Sequence, residues 1–272
     1  MTHKIDFIVA TTKKESLDFI NSMNIKSNAI ITNQHDQYSI SKIENYTMIT
    51  TPTKGVGINR NIGLNLTDAE YALIVDDDML FYDNAVDIIN SAIEQLSSAD
   101  VIIFNFDYTK SGKKMRTRIP KTIKLNYTNC LKYGICCALV KVGQIRKKNI
   151  SFSTLFGGGC KYGSGEDSLF YLDCLKNGLT IYTYNVSIGA NEYRESTWFN
   201  GYNEKFFYDK GALFAAIFKK FGHFLCCLVL LKNKKLLFGN SINYKKAVSL
   251  AKAGAKGFYN GITYEKWISG DN

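Results

Sequence analysis

Short runs of apolar, β-rich residues recur along the first hundred positions. Two of the intervals between them, 59–66 and 84–96, carry apolar residues at helical spacing. Strands separated by helices of this length are typical of βαβ units and of a mostly parallel sheet. Ligands bind such a sheet beyond the carboxyl ends of its strands, so we expect an α/β fold with its binding edge there. The predicted strands are 5–10, 29–32, 46–50, 71–75, 101–104 and, farther along, 181–184.

The pattern changes twice farther along the chain. From about 105 to 160 it indicates short strands and loops, and 110–124 holds basic residues without a single acid. These side chains form either a solvated face or a face toward phosphate or an acceptor. From 204 to the end the pattern is helical and rich in Phe, Leu and Lys. We expect a domain over 1–203, with halves of about 1–105 and 106–203, and a basic amphipathic helical region over 204–272.

The positive charge of the chain is concentrated in this last region. The sequence has 34 Lys+Arg against 24 Asp+Glu, a formal net charge of +10. Residues 205–256 alone contain 11 lysines and one acid, Asp209, so the rest of the chain balances at 23 basic against 23 acidic residues. A hydrophobic content of 46% with only two prolines excludes a disordered or Pro-rich chain.

The seven cysteines predict neither a disulfide framework nor a zinc site, because none stands in a C-x-x-C pair. The N-terminal residues contain no apolar stretch of the kind that a secretory signal needs. The longest apolar run, 221–231, is shorter than a transmembrane helix. We therefore expect a cytoplasmic protein.

Three adjacent carboxylates, Asp76, Asp77 and Asp78, directly follow the predicted strand 71–75. Adjacent carboxylates repel one another, and a divalent cation removes that cost. Oxygen ligands select Mg²⁺ or Mn²⁺, which keep positions open for substrate phosphates. In an extended segment Asp76 and Asp78 project to one side and Asp77 to the other. The alternative is a helix N-cap with solvated acids before the helix 84–96.

A glycine-containing loop, Lys-Gly-Val-Gly at 54–57, lies between the strand 46–50 and the next predicted helix. Glycines let a backbone approach a ligand, and a helix N-terminus attracts anionic groups. Lys54 and Arg60 add positive charge beside it. Alone, the loop is an ordinary turn into a helix. Together with the aspartates one strand later, it indicates a metal–diphosphate site.

A pair of acids, Glu166 and Asp167, stands at the start of the predicted helix 167–177. Carboxylates at this position favour the helix dipole, which is an ordinary structural explanation. The functional alternative is a general base that deprotonates a hydroxyl nucleophile. These residues alone leave both explanations open.

The order and spacing of these segments resemble family 2 glycosyltransferases with the GT-A fold. The closer resemblance is to bacterial enzymes that build capsular, O-antigen or exopolysaccharide repeat units. It covers roughly residues 4–215 and implies a Rossmann-like nucleotide-binding half, with a mixed, mostly parallel sheet flanked by helices. The segments that carry it are Lys54-Gly-Val-Gly-Ile-Asn-Arg-Asn-Ile-Gly63, Ile74-Val-Asp-Asp-Asp-Met79, Gly165-Glu-Asp-Ser-Leu-Phe170 and the stretch 195–211.

The resemblance also implies a role for each candidate residue. Asp76 would contact the donor ribose, and Asp78, with Asp76, would hold Mn²⁺ or Mg²⁺ at the diphosphate. Asp167 matches the position of the base in inverting members, with Glu166 beside it as an acceptor contact. The residues implied at the nucleotide sugar are Thr11, Asn33, Lys54, Asn59, Arg60, Asp76 and Asp77.

Two further positions concern the acceptor and the metal. Trp198 either stacks on an acceptor sugar or belongs to the core. Many GT-A enzymes supply a late histidine to the metal or diphosphate, but 188–194 contains none. Asn191 or Glu192 would then substitute for it, or the metal ion would depend more on water and phosphate.

The resemblance therefore implies an inverting, metal-dependent glycosyltransferase. It would move a sugar from a nucleotide-diphosphate sugar, with UDP as the expected nucleotide, to a hydroxyl of a glycan or lipid-linked glycan in bacterial surface polysaccharide synthesis. One alternative is a metal-dependent sugar nucleotidyltransferase, which would release pyrophosphate. The other is a catalytically silent GT-A binding subunit.

The lysine-rich end is open to two interpretations. Phe- and Leu-rich helices with lysines resemble segments that lie on anionic bilayers, where a polyprenyl-linked acceptor would sit. This would make the protein peripheral on the inner face of the plasma membrane. The alternative is a basic helix packed on the catalytic domain. Nucleic acid is not expected as a partner, because no recognition module is present.

Overall fold

In the computed structural model, the described residues are 2–110, 113–114, 118–192, 201–233 and 242–270. The chain divides into two compact units. The first unit comprises Met1–Ser153 and Asp167–Arg194, and the second comprises Thr154–Glu166 and Glu195–Asn272. The observed division therefore differs from the expected boundary after residue 203, since it gives the segment Thr154–Glu166 to the C-terminal unit.

The first unit is built on a sheet of nine described strands. They are β1 Ile5–Thr12, β2 Asn28–Gln34, β3 Ser39–Ile43, β4 Tyr46–Thr51, β5 Tyr71–Asp76, β6 Val101–Lys110, β7 Lys113–Lys114, β8 Ala138–Lys141 and β9 Ile181–Glu192. Their order is β3-β4-β2-β1-β5-β8-β6-β7, and β9 also pairs with β6. Strands β4, β2, β1 and β5 run parallel, as do β6 and β9. Strands β3, β7 and β8 are antiparallel to their neighbours, so the predicted α/β fold with a mixed sheet is confirmed.

The two central strands are buried on both faces. Phe7 and Val9 of β1 and Leu73 and Val75 of β5 are fully buried, as are the residues that alternate with them. A continuous apolar run, rather than an alternating one, is what a strand needs when both faces of the sheet are covered. Since β5 lies between β1 and β8, its last residue, Asp76, comes to the middle of the sheet edge.

Helices cover the sheet. They are α1 Val56–Leu66, α2 Ala85–Gln95, α3 Val142–Lys147 and α4 Glu166–Lys176. α1 packs closely on β1, because a Cβ added to Gly63 would lie 2.3 Å from the Cγ2 of Ile8. A 3₁₀ helix, Asp18–Met23, lies between β1 and β2.

Three strands, β3, β7 and β8, have no counterpart among those predicted individually. All five residues of β3 are exposed. Its two apolar residues, Ile40 and Ile43, are three positions apart, so this edge strand lacks the alternation by which a strand is recognised. β8 is four residues long and inserts antiparallel between β5 and β6. Its short apolar run is equally compatible with a loop or a buried helix segment, and only its partners make it a strand.

The second unit is helical, as predicted for the end of the chain. Its helices are α5 Glu204–Phe218, α6 Gly222–Lys232, α7 Tyr244–Asn260 and α8 Tyr264–Ser269. Their core contains Phe207, Cys226, Leu230 and Leu250. The segment Thr154–Glu166 belongs with them because the backbone N–H of Gly163 donates to the carboxylate of Asp209 on α5, at 2.9 Å.

Glycines bring α5 and α7 into close contact. A Cβ added to Gly211 would lie 1.9 Å from the carbonyl oxygen of Ala251, and one at Gly254 would lie 1.8 Å from that of Tyr208. Any side chain at either position would collide with backbone, so only glycine permits this separation of the helices.

Among the described residues, the stretch Glu204–Lys232 is long and apolar enough to cross a membrane by length and composition. The chain does not run straight through it, because Lys219, which follows α5, has a φ of 49°. A Cβ added to Gly222 would lie 2.3 Å from the carbonyl oxygen of Phe214. In a continuous helix, these eight residues would rise about 12 Å. α6 therefore folds back on α5.

Candidate functional site

Both glycines of the loop before α1 are required by contacts and backbone angles within the protein. Gly55 precedes the helix with a φ of 107°, a region that glycine adopts readily. A Cβ added to Gly57 would lie 2.0 Å from the carbonyl oxygen of Ser153. Both glycines therefore have a structural role, and Gly57 closely approaches protein backbone.

The carboxylate of Asp76 is held from two sides at the end of β5. Arg60 Nη2 of α1 lies 3.1 Å from Oδ1, and the Cys136 thiol donates to Oδ2 at 2.7 Å. The Arg60 side chain is only 4% exposed, and its guanidinium lies over the ring of Phe152, whereas Asp76 is 44% exposed. Arg60 therefore contacts Asp76 from the buried side, and the carboxylate of Asp76 is the exposed member of the ion pair.

Cys136 remains a hydrogen-bond donor over the ordinary pH range. Burial raises the pKa of its thiol well above the usual range, and the negative charge of Asp76 raises it further. The neighbouring Arg60 opposes this effect without overcoming it. A neutral thiol can donate to the carboxylate, whereas a thiolate would repel it.

Asp77 is held by the end of β1. The Thr11 hydroxyl donates to Asp77 Oδ2 at 2.5 Å, and Lys14 Nζ lies 3.2 Å from the same oxygen. Lys13, between them, has a φ of 54°, which turns the chain after the strand. Lys14 therefore offsets the second negative charge of the triplet, as Arg60 offsets the first.

Two buried asparagines hold this end of β1 in place. Asn33 Nδ2 donates to the Lys14 carbonyl at 2.8 Å, while its Oδ1 accepts from the Lys14 N–H at 3.1 Å. Asn59 Nδ2 donates to the Thr11 carbonyl at 3.0 Å. Both residues were predicted at the nucleotide sugar, and the structure places both against the loop that positions Asp77.

Asp78 is exposed beyond the end of β5, on a turn that Asn191 stabilises. The Asn191 side chain donates to the Asp78 carbonyl and accepts from the Leu80 N–H at 2.9 Å. Asn191, considered above as a substitute for the late histidine, thus uses both ends of its amide on backbone. In the part of the chain that the structure describes, no group of three His, Cys, Asp or Glu residues is arranged to hold a metal.

The donor chemistry here fits an open metal site rather than a closed one. Arg60 and Lys14 pair with Asp76 and Asp77, and Asp78 is the most exposed residue of the triplet. Mg²⁺ is usually bound by one or two carboxylates and completed by water and substrate phosphates. An exposed carboxylate at the carboxyl end of a central strand meets that requirement.

Asp167 is half-buried in the first turn of α4, where its Oδ1 accepts from the Ser168 N–H at 2.7 Å. One turn later, the Tyr171 hydroxyl donates to the Gly134 carbonyl at 2.8 Å. A Cβ added to Gly134 would lie 3.8 Å from Asp167 Oδ2, so this carboxylate lies beside the loop that carries Gly134.

The segment 134–136 therefore connects Asp167 with Asp76. Gly134 at its start lies near Asp167, and Cys136 at its end bonds to Asp76. The Tyr171 hydroxyl lies near the same groups. Burial raises its pKa well above the usual range, and the negative charge of Asp167 raises it further. The next residue, Cys137, has a φ of 69°, a sparsely populated conformation that is found in many functional sites.

The remaining predicted residues are Lys54, Glu166 and Trp198. Lys54 is exposed on the loop before α1, and Glu166 is half-buried at the end of the segment Thr154–Glu166. Trp198 lies outside the described residues. Two residues that the sequence did not single out, Lys14 and Cys136, contact the triplet directly. Lys14 stands two positions after the last residue of β1, whereas the apolar surroundings of Cys136 favour an inert core thiol.

Comparisons with known proteins show which fold this is. No protein-family model matches the chain. No curated protein sequence matches it either. Among solved structures, residues 1–349 of S. aureus TarS in complex with UDP-GlcNAc have 13% sequence identity and a TM-score of 0.60, with 96% of this chain and 93% of that chain covered.

Other TarS structures agree. The same fragment in complex with UDP has 12% identity, a TM-score of 0.60 and the same coverage. The longer TarS chain has 15% identity and a TM-score of 0.57, with 97% of this chain and 46% of that one covered. The chain is therefore similar in fold to these structures, and the predicted GT-A fold is confirmed.

Proposed function

We propose that this protein is a glycosyltransferase that uses a nucleotide-diphosphate sugar. The observation that carries the proposal is the GT-A fold, which is shared over 96% of the chain with a protein crystallised with UDP-GlcNAc. The acidic triplet lies at the carboxyl end of the central strand β5, where α/β sheets bind ligands, and contacts from Arg60, Cys136 and Lys14 hold it there.

The expected nucleotide is UDP, because the similar structures contain UDP-GlcNAc and UDP. In the proposed complex, Asp76 receives the donor ribose. Arg60 and Cys136 each hold one of its two oxygens, and so limit the directions from which it can accept a hydrogen bond from a hydroxyl. Thr11 of β1, Asn33 of β2 and Asn59 of α1 would shape the adjoining pocket, and Lys54 would add positive charge near the phosphates.

Asp78, with Asp76, would hold Mn²⁺ or Mg²⁺ beside the donor diphosphate. A bound ion of this kind supplies positive charge where the leaving group becomes negative. Asp77, which pairs with Lys14, is not part of the proposed ligand set. Lys14 and Arg60 also reduce the repulsion within the triplet before any donor is bound.

Asp167 is the proposed general base of an inverting transfer. It would accept the proton of an acceptor hydroxyl as that oxygen bonds to the anomeric carbon of the donor. The bond between this carbon and the diphosphate oxygen would break on the opposite face, and the nucleoside diphosphate would leave with both bonding electrons. The position of Asp167 beside the segment 134–136, which also reaches Asp76, supports this assignment. Glu166 and Trp198 are proposed acceptor contacts.

The proposed acceptor is a hydroxyl of a glycan or lipid-linked glycan in bacterial surface polysaccharide synthesis. The test is to incubate the protein with a panel of UDP-sugars, Mn²⁺ or Mg²⁺ and glycan acceptors, and to measure the nucleotide product. We expect UDP to be released, first by slow donor hydrolysis and faster with a suitable acceptor. Pyrophosphate release from UTP and a sugar phosphate would instead indicate a nucleotidyltransferase. Donor binding without turnover across the panel would support a silent binding subunit.

A further inference from the structure

Helix α6 is apolar on its exposed side as well as on its buried side. Its buried side contributes Cys226 and Leu230 to the core of the second unit. The exposed side carries Phe221, which directly precedes the helix, then Phe224, Leu228 and Leu231. These four residues, spaced by three or four positions, share one face of a helix and are called the α6 outer face below.

The α6 outer face is unusually open to solvent for such side chains. Phe221 is 73% exposed and Phe224 is 63% exposed, so most of both rings lies in water. A helix that is apolar all round normally has both sides covered. A contiguous exposed apolar surface of this kind marks an interaction site, whereas a single exposed apolar residue would need no explanation.

Lysines border this face, and the sequence around it contains no acid. Lys219 and Lys220 stand before Phe221, and Lys232 ends α6; all three are exposed. From 210 to 264 there is no Asp or Glu at all. On α7, three further exposed lysines, Lys245, Lys252 and Lys256, recur at helical spacing.

We propose that the α6 outer face inserts into the interfacial region of an anionic lipid bilayer, with the bordering lysines at the level of the headgroups. Aromatic and leucine side chains beside lysines are the composition of helices that lie in a bilayer interface. A second protein surface of apolar type would explain the phenylalanines but would leave the excess of lysines uncompensated. An anionic headgroup layer matches both features, because it pairs negative charge with an apolar interior.

The chain provides matched variants for both parts of the surface. F224S/L228S removes two apolar side chains that do not belong to the core. Its control, Y38S/I40S, replaces Ile40 of β3 and Tyr38, which directly precedes that strand. Both residues lie in the first unit and are at least as exposed. K219E/K220E reverses two adjacent charges, and its control, K147E/K148E, reverses two adjacent exposed lysines in the first unit.

The experiment is flotation of the purified chain with vesicles at physiological salt. One set of vesicles is phosphatidylcholine alone, and the other contains phosphatidylglycerol. We expect binding to the anionic vesicles that is weakened about tenfold or more by F224S/L228S. K219E/K220E should weaken it by at least roughly fivefold for each charge removed, and added salt should weaken it too. Both control variants should bind as the unsubstituted chain does.

Three results would overturn the proposal. These are the absence of binding to anionic vesicles, equal binding by F224S/L228S, and equal loss in the control variants. Light scattering covers the main alternative, because a concentration-dependent dimer that F224S/L228S abolishes would make a second copy the occupant of the face. Donor hydrolysis by the same variants keeps this test separate from the catalytic proposal, since loss of vesicle binding with unchanged hydrolysis concerns the α6 outer face alone.

Discussion

The thiol of Cys136 donates a 2.7 Å hydrogen bond to the carboxylate of Asp76. Arg60 holds the other oxygen of the same carboxylate from within the protein. A half-exposed aspartate with both oxygens engaged is restricted in rotation, so it can present a defined acceptor to a ligand. This contact makes Cys136 a positioning residue for the proposed donor site.

Replacing Cys136 should separate stability from donor binding. In C136A the carboxylate loses one donor, which should cost about 1 kcal/mol of unfolding free energy, because Asp76 is partly solvated. We expect UDP affinity to fall several-fold, since Asp76 gains rotational freedom. C136S retains a donor and should restore most of the affinity. Calorimetric titration with UDP and chemical denaturation measure the two effects, and equal UDP affinity in C136A would remove the positioning role.

Asp78 should control the metal dependence of nucleotide binding. In D78A, Mn²⁺ should no longer increase the affinity for UDP, because the proposed exposed ligand is gone. The folded state should change little, since the side chain is at the surface. The check is UDP titration of both proteins with Mn²⁺ and with EDTA. An undiminished effect of Mn²⁺ on D78A would contradict the assignment.

Asp167 should be needed for turnover and not for donor binding. Removing a general base typically lowers a rate by about 10²- to 10⁴-fold. We expect D167N to show a loss of this size in acceptor-dependent UDP release while it binds UDP with unchanged affinity. D173N, at a half-exposed position of the same helix, serves as the control. Comparable turnover by D167N and the unsubstituted chain would assign the base elsewhere.

The glycines between α5 and α7 should be essential to the packing of the second unit. In G211A or G254A the new methyl group meets backbone less than 2 Å away, so the helices must separate. Overpacking of this kind typically costs about 1–3 kcal/mol. We expect each variant to lose unfolding free energy of about this size. G143A is the control, because a Cβ there meets nothing within 4 Å. Chemical denaturation should show it unchanged or slightly stabilised, and equal losses in all three variants would argue against the close helix contact.

Asp209 should make the stability of the second unit depend on pH. Burial raises the pKa of its carboxyl above the usual value of 3.8, although the Gly163 N–H and Lys205 partly oppose the shift. A carboxyl with a raised native pKa contributes stability that is present below pH 3.8 and is lost as the pH rises through the raised value. D209N lacks this titration and can still accept from Gly163.

The unfolding free energy of D209N, relative to that of the unsubstituted chain, should therefore increase from pH 4 to pH 7. Each unit of difference between the pKa of Asp209 in the folded chain and its pKa in the unfolded chain corresponds to about 1.4 kcal/mol of unfolding free energy. Denaturation curves for both proteins at the two pH values measure this difference. A difference that is constant with pH would mean that the pKa of Asp209 is the same in the folded and unfolded chains.

Much of the fold was predictable from local pattern. The continuous apolar runs of β1 and β5 have to be buried on both faces, and the acids after β5 mark where burial ends. Helical spacing likewise predicted α1, α2 and α4 to within a few residues. Strand β8 lies in the stretch for which short strands were predicted, but it was not predicted individually, because its place between β5 and β6 depends on partners that are distant in sequence.

The sequence by itself determined the sheet-building segments, the acidic triplet, the Glu166–Asp167 pair and the lysine-rich end, because each is a property of neighbouring residues. Only the tertiary structure decided which partner each carboxylate has. These partners are Arg60, Cys136 and Lys14, which lie 16 to 63 positions from the triplet along the chain. The backbone has a positive φ at Lys13 and at Cys137, directly beside two of them. The packing of α6 likewise decided which of its apolar residues are buried and which form the outer face.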